Sequence, residues 1–188
     1  MNSDMGFCTI LDTETTGLDP RQGHRLIEIG CLELMNRRPT GNNFHAYLNP
    51  QRDIPQEAIN VHGLTPEFLA DKPLFAEIAE SLKAYLKDAE LIAHNAPFDI
   101  GFLDAEFKRI NANWQSLNQQ YTVTDTVLMA RKRHPGQKNN LDALCKRYDV
   151  DNSQRQFHGA LLDAQLLAEV YLKMTGGQSS ILLNESDT

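Results

Sequence analysis

The sequence predicts an α/β domain built on a mixed sheet flanked by helices. Two patterns carry the prediction. Three apolar, β-prone segments follow one another near the N-terminus with short connections. After residue 72 the apolar period becomes that of amphipathic helices, interrupted by two short strands. Size agrees: 188 residues, 41% hydrophobic and 23% charged, suffice for one domain with a substantial core.

The first strand is Phe7–Leu11, with Asp12 and Glu14 where the apolar run stops and Gly17 just beyond. Successive strand side chains alternate faces, so the two carboxylates point one way and Thr13 the other. Two anions on one face repel, so they are either solvated loop residues or hold a cation between them. Arg25–Met35 (RLIEIGCLELM) alternates from Leu26 onward and is the second strand. After the turn-rich Asn36–Asn43, Phe44–Leu48 is the third, completing an antiparallel meander. Pro73–Leu86 has helical spacing, Glu90–His94 is a short apolar strand, and Pro97–Ile110 is a helix with Pro near its first position. Tyr121–Thr124 is the fifth strand, and helices follow over about Thr126–Arg133, Leu141–Tyr148 and Gly159–Met174. Asp125 reads as the N-cap of the first of these, and Asn139 or Asn140 as that of the next. Gly176-Gly177 reads as a helix stop, separating a domain over residues 1–177 from a tail over 178–188.

No apolar run reaches the roughly 18–20 residues of a membrane span, and MNSDMGF lacks the layout of a secretory signal. Three scattered cysteines (Cys8, Cys31, Cys145) without a CxxC pair read as buried free thiols in a reducing, cytoplasmic compartment. With 18 basic and 25 acidic residues the net charge is −7, which argues against gripping nucleic acid through the overall field. Local basic clusters, Arg131–His134 and Lys146-Arg147, read as solvated helix faces.

Three further positions bear on chemistry. Asp99, in HNAPFD, falls in the first turn of a helix after a buried strand. Asp163, in HGALLDAQ, sits among leucines, where an unpartnered carboxylate is costly. His158 lies five residues before Asp163, and helical residues at that spacing diverge by about 140°. The two meet only if His158 stands on a loop before the helix, a placement suited to carrying a proton. Each residue alone also reads as ordinary: loop carboxylates, a helix-dipole partner at Asp99, an exposed loop histidine, a salt-bridged Asp163. Together, four carboxylates without Cys or HExxH favour hard, oxygen-loving cations over zinc.

DTETTG, HNAPFD and HGALLD, in this order and spacing, resemble the three motifs of the DEDDh proofreading exonucleases. LIEIG (Leu26–Gly30), RRPTGNNFHAYLNP (Arg37–Pro50), VHGLTPEFLADKPLFAEIA (Val61–Ala79) and LLDAQLLAEVYLKMTGGQ (Leu161–Gln178) are similar to the epsilon subunits of bacterial DNA polymerase III. The resemblance implies a ribonuclease H-like five-stranded sheet of order 3-2-1-4-5. It also implies two Mg²⁺ or Mn²⁺ ions held by Asp12, Glu14, Asp99 and Asp163, with His158 as general base. By position it assigns Glu57 to the 3′-hydroxyl, His62 to a phosphate, and Thr15, Gly17 and Phe98 to a nucleotide pocket. The activity implied is 3′→5′ removal of mispaired DNA ends as deoxynucleoside monophosphates. A DEDDh ribonuclease trimming RNA ends and a non-catalytic scaffold are the alternatives. The partners implied are DNA with a single-stranded or frayed 3′ end, the polymerase alpha subunit and a theta-type accessory subunit. The segment that anchors family members to alpha lies beyond the linker, whereas this sequence stops at Thr188. The tail residues Gln178, Ile181 and Leu183 resemble the short peptides that dock into the sliding clamp.

Overall fold

The computed structural model describes residues 6–186, and their side chains from 6 to 176. The first strand, β1 (Phe7–Thr15), lies at the centre of the sheet. It pairs antiparallel with β2 (Leu26–Met35), which pairs antiparallel with the edge strand β3 (Arg38–Tyr47). On its other side β1 pairs parallel with β4 (Glu90–Ala93), and β4 with β5 (Val123–Asp125). The order is β3-β2-β1-β4-β5, the mixed sheet expected.

Helices α1 (Gln56–His62), α2 (Pro66–Leu69) and α3 (Phe75–Leu86) connect β3 to β4. Helices α4 (Ala96–Ile110) and α5 (Leu117–Gln120) lead to β5, followed by α6 (Thr126–Arg133), α7 (Leu141–Arg147) and α8 (Ala160–Ser186). Alternation along the strands builds two cores. Leu11, Ile29, Cys31 and Leu91 face α3 and α4, burying Leu82, Ile100 and Phe102. Ile10, Leu32, Leu34 and Ile92 face α7 and α8, burying Leu144, Leu167 and Val170. Among the described residues no helix is long and apolar enough to cross a membrane. Cys8, Cys31 and Cys145 are free thiols; the last two are buried and Cys8 is half-buried.

Several boundaries differ from expectation. Strand β1 does not stop at Leu11; its ladder to β2 continues through Asp12↔Gly30 and Glu14↔Glu28, so both carboxylates are strand residues. Strand β3 begins at Arg38 rather than Phe44, because Asn36 and Arg37 take positive φ values (51° and 66°) and turn the chain in two residues. Its largely exposed early residues lack the apolar alternation that marks a strand. Helix α1 buries only His62 and has no apolar stripe to read; Gly63, at φ 71°, ends it. Helix α2 starts at Pro66 behind the Thr65 cap, whose side chain accepts from Phe68 N–H. The stop at Gly176-Gly177 does not occur, since α8 continues to Ser186. Each glycine costs about 1 kcal/mol in a helix, too little to break one already nucleated by packed turns. The side chains of Gln178, Ile181 and Leu183 lie outside the described part.

Candidate active site

The site forms where β1 and β4 end and where α4 and α8 begin, in a cavity of about 740 Å³. Its wall includes Asp12, Glu14, Asp99, His158 and Asp163, and also Thr15, Gly17, Glu57, His62 and Phe98. Every site residue expected within the described side chains is therefore brought to one cleft.

Asp12 and Glu14 project to the α8 face, in step with Ile10. Thr13 projects to the opposite face, where its Oγ1 donates to Asp99 Oδ1 at 2.6 Å. That bond carries the carboxylate of α4 around the strand end, with Asp99 itself 2% exposed. Behind α4, the αL residue Asn95 (φ 67°) makes the turn out of β4. On the other side His158 stands on the loop before α8, its backbone N–H donating to Val61 O at 2.9 Å. Asp163 is in the first turn of α8. Ligand atoms of Glu14, His158 and Asp163 all lie within 4.8 Å of one another.

The electrostatics record a shortage of positive charge. Burial, then Asp99, Glu14 and Asp163, hold the Asp12 carboxyl well above its ordinary range. Burial and the neighbouring Asp163 and Glu28 raise Glu14 to about 9, and burial raises Asp99 to about 7. Among the described residues, Asp12 Oδ2 is buried without a hydrogen-bond partner. An orphaned carboxylate oxygen among three further carboxylates fits a divalent, oxygen-preferring cation, and Asp12, Glu14, Asp99 and Asp163 are the residues able to hold one. His158 is shifted downward, first by burial and then by Arg155, so its imidazole is neutral at neutral pH.

Arg155 was not among the expected site residues. It clamps Asp163 with two bonds, Nε to Oδ1 at 2.7 Å and Nη2 to Oδ2 at 2.9 Å, and reaches Asp142 Oδ1 with Nη1 at 2.8 Å. The signal lay in the cost of burying Asp163, which calls for a cation; Arg155, three residues before His158, supplies it. Thr13 was also missed, because alternation shows only that it points away from Asp12.

The rest of the wall is formed by side chains of mixed chemistry. His62 is buried, its Nδ1 accepting from Leu64 N–H at 3.0 Å and its Nε2, among the described residues, without a hydrogen-bond partner. Phe98 offers a ring face beside Phe102, centroids 5.0 Å apart. Glu57 is exposed at the cleft. Gly17 is needed for close approach rather than for a turn, since a Cβ there would overlap the His24 ring, which Thr16 Oγ1 holds at 3.0 Å. Leu18, 85% exposed, stands at the mouth. Asp125 caps α6 and Asn140 caps α7, while Asn139 bonds Arg147.

The family model named Exonuclease matches residues 9–171. The DNA polymerase III subunit epsilon of Escherichia coli (strain K12) is 56% identical over 176 residues, which cover 92% of this chain and 72% of that protein. The subunit of the same name from Rickettsia felis is 57% identical over 171 residues, covering 91% and 75%. Among solved structures, Exonuclease X in complex with 5′-overhanging duplex DNA matches with a TM-score of 0.70 at 24% identity, covering 92% of this chain and 93% of that one. The nuclease domain of 3′hExo, a DEDDh family member bound to rAMP, matches with a TM-score of 0.73 at 16% identity, covering 94% and 95%. These two likenesses are of fold.

Proposed function

The chain belongs to the exonuclease family, among the epsilon subunits of DNA polymerase III, and on that premise we propose that it hydrolyses DNA from the 3′ end, releasing mispaired terminal nucleotides as deoxynucleoside monophosphates. The observation that carries the reading is the gathering of Asp12, Glu14, Asp99 and Asp163, with an unpartnered Asp12 oxygen, beside a neutral His158.

In this reading Asp12, Glu14, Asp99 and Asp163 would hold two divalent ions, Mg²⁺ or Mn²⁺. Bound there, the ions supply positive charge to the scissile phosphate and acidify the attacking water. His158 takes the proton of that water, and its depressed pKa leaves the imidazole ready to accept it at neutral pH. The water oxygen bonds to phosphorus as the bond to the 3′ oxygen of the preceding nucleotide breaks. His62 Nε2, buried and without a hydrogen-bond partner among the described residues, meets a phosphate oxygen, and Glu57 the terminal 3′-hydroxyl. Phe98 stacks against the base, with Thr15 and Gly17 beside the sugar.

DNA and the polymerase alpha subunit are the partners we propose, together with a theta-type accessory subunit. Clamp docking by Gln178, Ile181 and Leu183 is a further part of the reading; as an extended peptide it requires the last turns of α8 to unwind.

The test is hydrolysis of 3′- and 5′-labelled single-stranded DNA and RNA, with Mg²⁺, Mn²⁺ or excess chelator. Stepwise shortening of DNA from the 3′ end, abolished by chelator and by Asp12→Ala, is expected. Metal-independent hydrolysis overturns the two-ion reading, and preference for RNA overturns the substrate.

A further inference from the structure

Helix α8 begins at Ala160, so its N-cap position falls on Gly159, which has no side chain to accept the unpaired N–H groups of the first turn. The acceptor comes from β2: Glu28 Oε1 receives the Ala160 N–H at 2.7 Å. The second oxygen, Oε2, lies 2.7 Å from His45 Nε2 on β3. Glu28 is 2% exposed and stands opposite Glu14 in the β1–β2 ladder. A buried carboxylate facing another carboxylate works against stability, so packing alone favours a neutral side chain here. What it supplies is a strong acceptor aimed at the joint between His158 and Asp163. Across the same joint, His158 N–H is held by Val61 O at 2.9 Å. Two residues along β2, Gly30 leaves room for the backbone of Ala160 and Leu161 to rest on the strand.

We infer that Glu28 is a positioning residue for the hydrolysis: by capping α8 from β2, with His45 on its other oxygen, it sets where His158 and Asp163 stand relative to Asp12 and Glu14. The inference rests on the exonuclease reading. A misplacement of about 1 Å in such a constellation costs about 10²-fold in rate.

The experiment compares the wild-type chain with Glu28→Ala, Glu28→Gln and His45→Ala. It records kcat and KM on a 3′-labelled single strand with Mn²⁺, circular dichroism, and amide hydrogen exchange at Ala160 and Val170 in the metal-free protein. Glu28→Ala is expected to lose about 10–100-fold in kcat with KM within about threefold, and to exchange faster at Ala160 with Val170 unchanged. Glu28→Gln keeps an acceptor for the Ala160 N–H and is expected to retain kcat within about threefold of wild type. A folded Glu28→Ala with wild-type kcat overturns the inference. So does a folded Glu28→Gln as slow as Glu28→Ala, which assigns the role to charge and not to the cap. If Glu28→Ala does not fold, His45→Ala decides: a fall of about 3–10-fold in kcat at constant KM supports the inference, and wild-type kcat overturns it. An inactive wild-type protein counts against the exonuclease reading alone, and Ala160 exchange in Glu28→Ala then decides the capping role by itself.

Discussion

His158 is held through its backbone by Val61, and burial together with Arg155 keeps its imidazole neutral at neutral pH. Replacing it by Ala is expected to lower kcat about 10²–10⁴-fold, to leave KM nearly unchanged, and to flatten the acid limb of the pH–rate profile. Near-wild-type turnover would assign the proton to another group. Arg155→Leu acts on stability: it strips Asp163 of its buried counter-ion, a loss of about 3–5 kcal/mol for such pairs, read as a lower Tm of the metal-free protein. Since Mg²⁺ supplies the missing charge, it should raise Tm more in this variant than in wild type; equal shifts would argue against Asp163 as a ligand. The carboxylates also set a pH dependence. Asp12, Glu14 (to about 9) and Asp99 (to about 7) are raised in the metal-free fold. The folded protein then binds more protons than the unfolded chain, so stability falls as pH rises through those values. The buried His62 and the half-buried His94 and His158 shift downward, and their contribution changes only below about pH 6.5. Between pH 7 and 9 the Tm of metal-free protein should therefore decline, and saturating Mg²⁺ should flatten the curve; a level metal-free curve contradicts the assignment.

At the scale of elements, the site depends on how closely α8 lies on β2. A Cβ at Gly30 would overlap backbone atoms of Ala160 and Leu161, which cannot give way as a side-chain tip can. Gly30→Ala should therefore cost about 1–3 kcal/mol through overpacking and reduce kcat by displacing His158 and Asp163. Gly101, inside α4, has open space where its Cβ would be, and Gly101→Ala should stabilise by about 0.5–1 kcal/mol. Denaturant unfolding of the two variants checks both signs. The same elements show which features a sequence reading reaches. The first strand as far as Leu11, α3, α4 and α8 as far as Met174 were legible because apolar residues recur at regular spacing through those stretches, whereas the continuations of β1 to Thr15 and of α8 to Ser186 were not. Strand β3 was legible only in its last residues, and α1 not at all, since both leave most of their residues exposed.

Over the whole molecule, the acidic excess (net −7) sets how substrate is held. Local contacts at the cleft, rather than the overall field, must bind the strand, so the chain alone should cut with low processivity. On the proposed reading the cleft would take a separated 3′ end, and a mispaired terminus costs less to open than a paired one. Mismatched ends should be cut faster than matched ends, and single strands fastest. Equal initial rates on matched and mismatched primer termini would contradict this.

The class of fold could be read from the chain because local periodicity places strands and helices, and Asp12, Glu14, Asp99, His158 and Asp163 stood out as candidates through their places at element ends and the resemblance of the three motifs. The strand order followed from the resemblance of the motifs and not from periodicity, and the residues that aim those groups could not be read at all. Thr13 reaches Asp99 across 86 positions and Ala160 reaches Glu28 across 132. Such bonds follow from how β2, α4 and α8 pack, and alternation along a strand reveals the face a residue takes but not the partner waiting there. Arg155 lies in between: the cost of burying Asp163 called for a cation, and only the packed loop before α8 could choose which one.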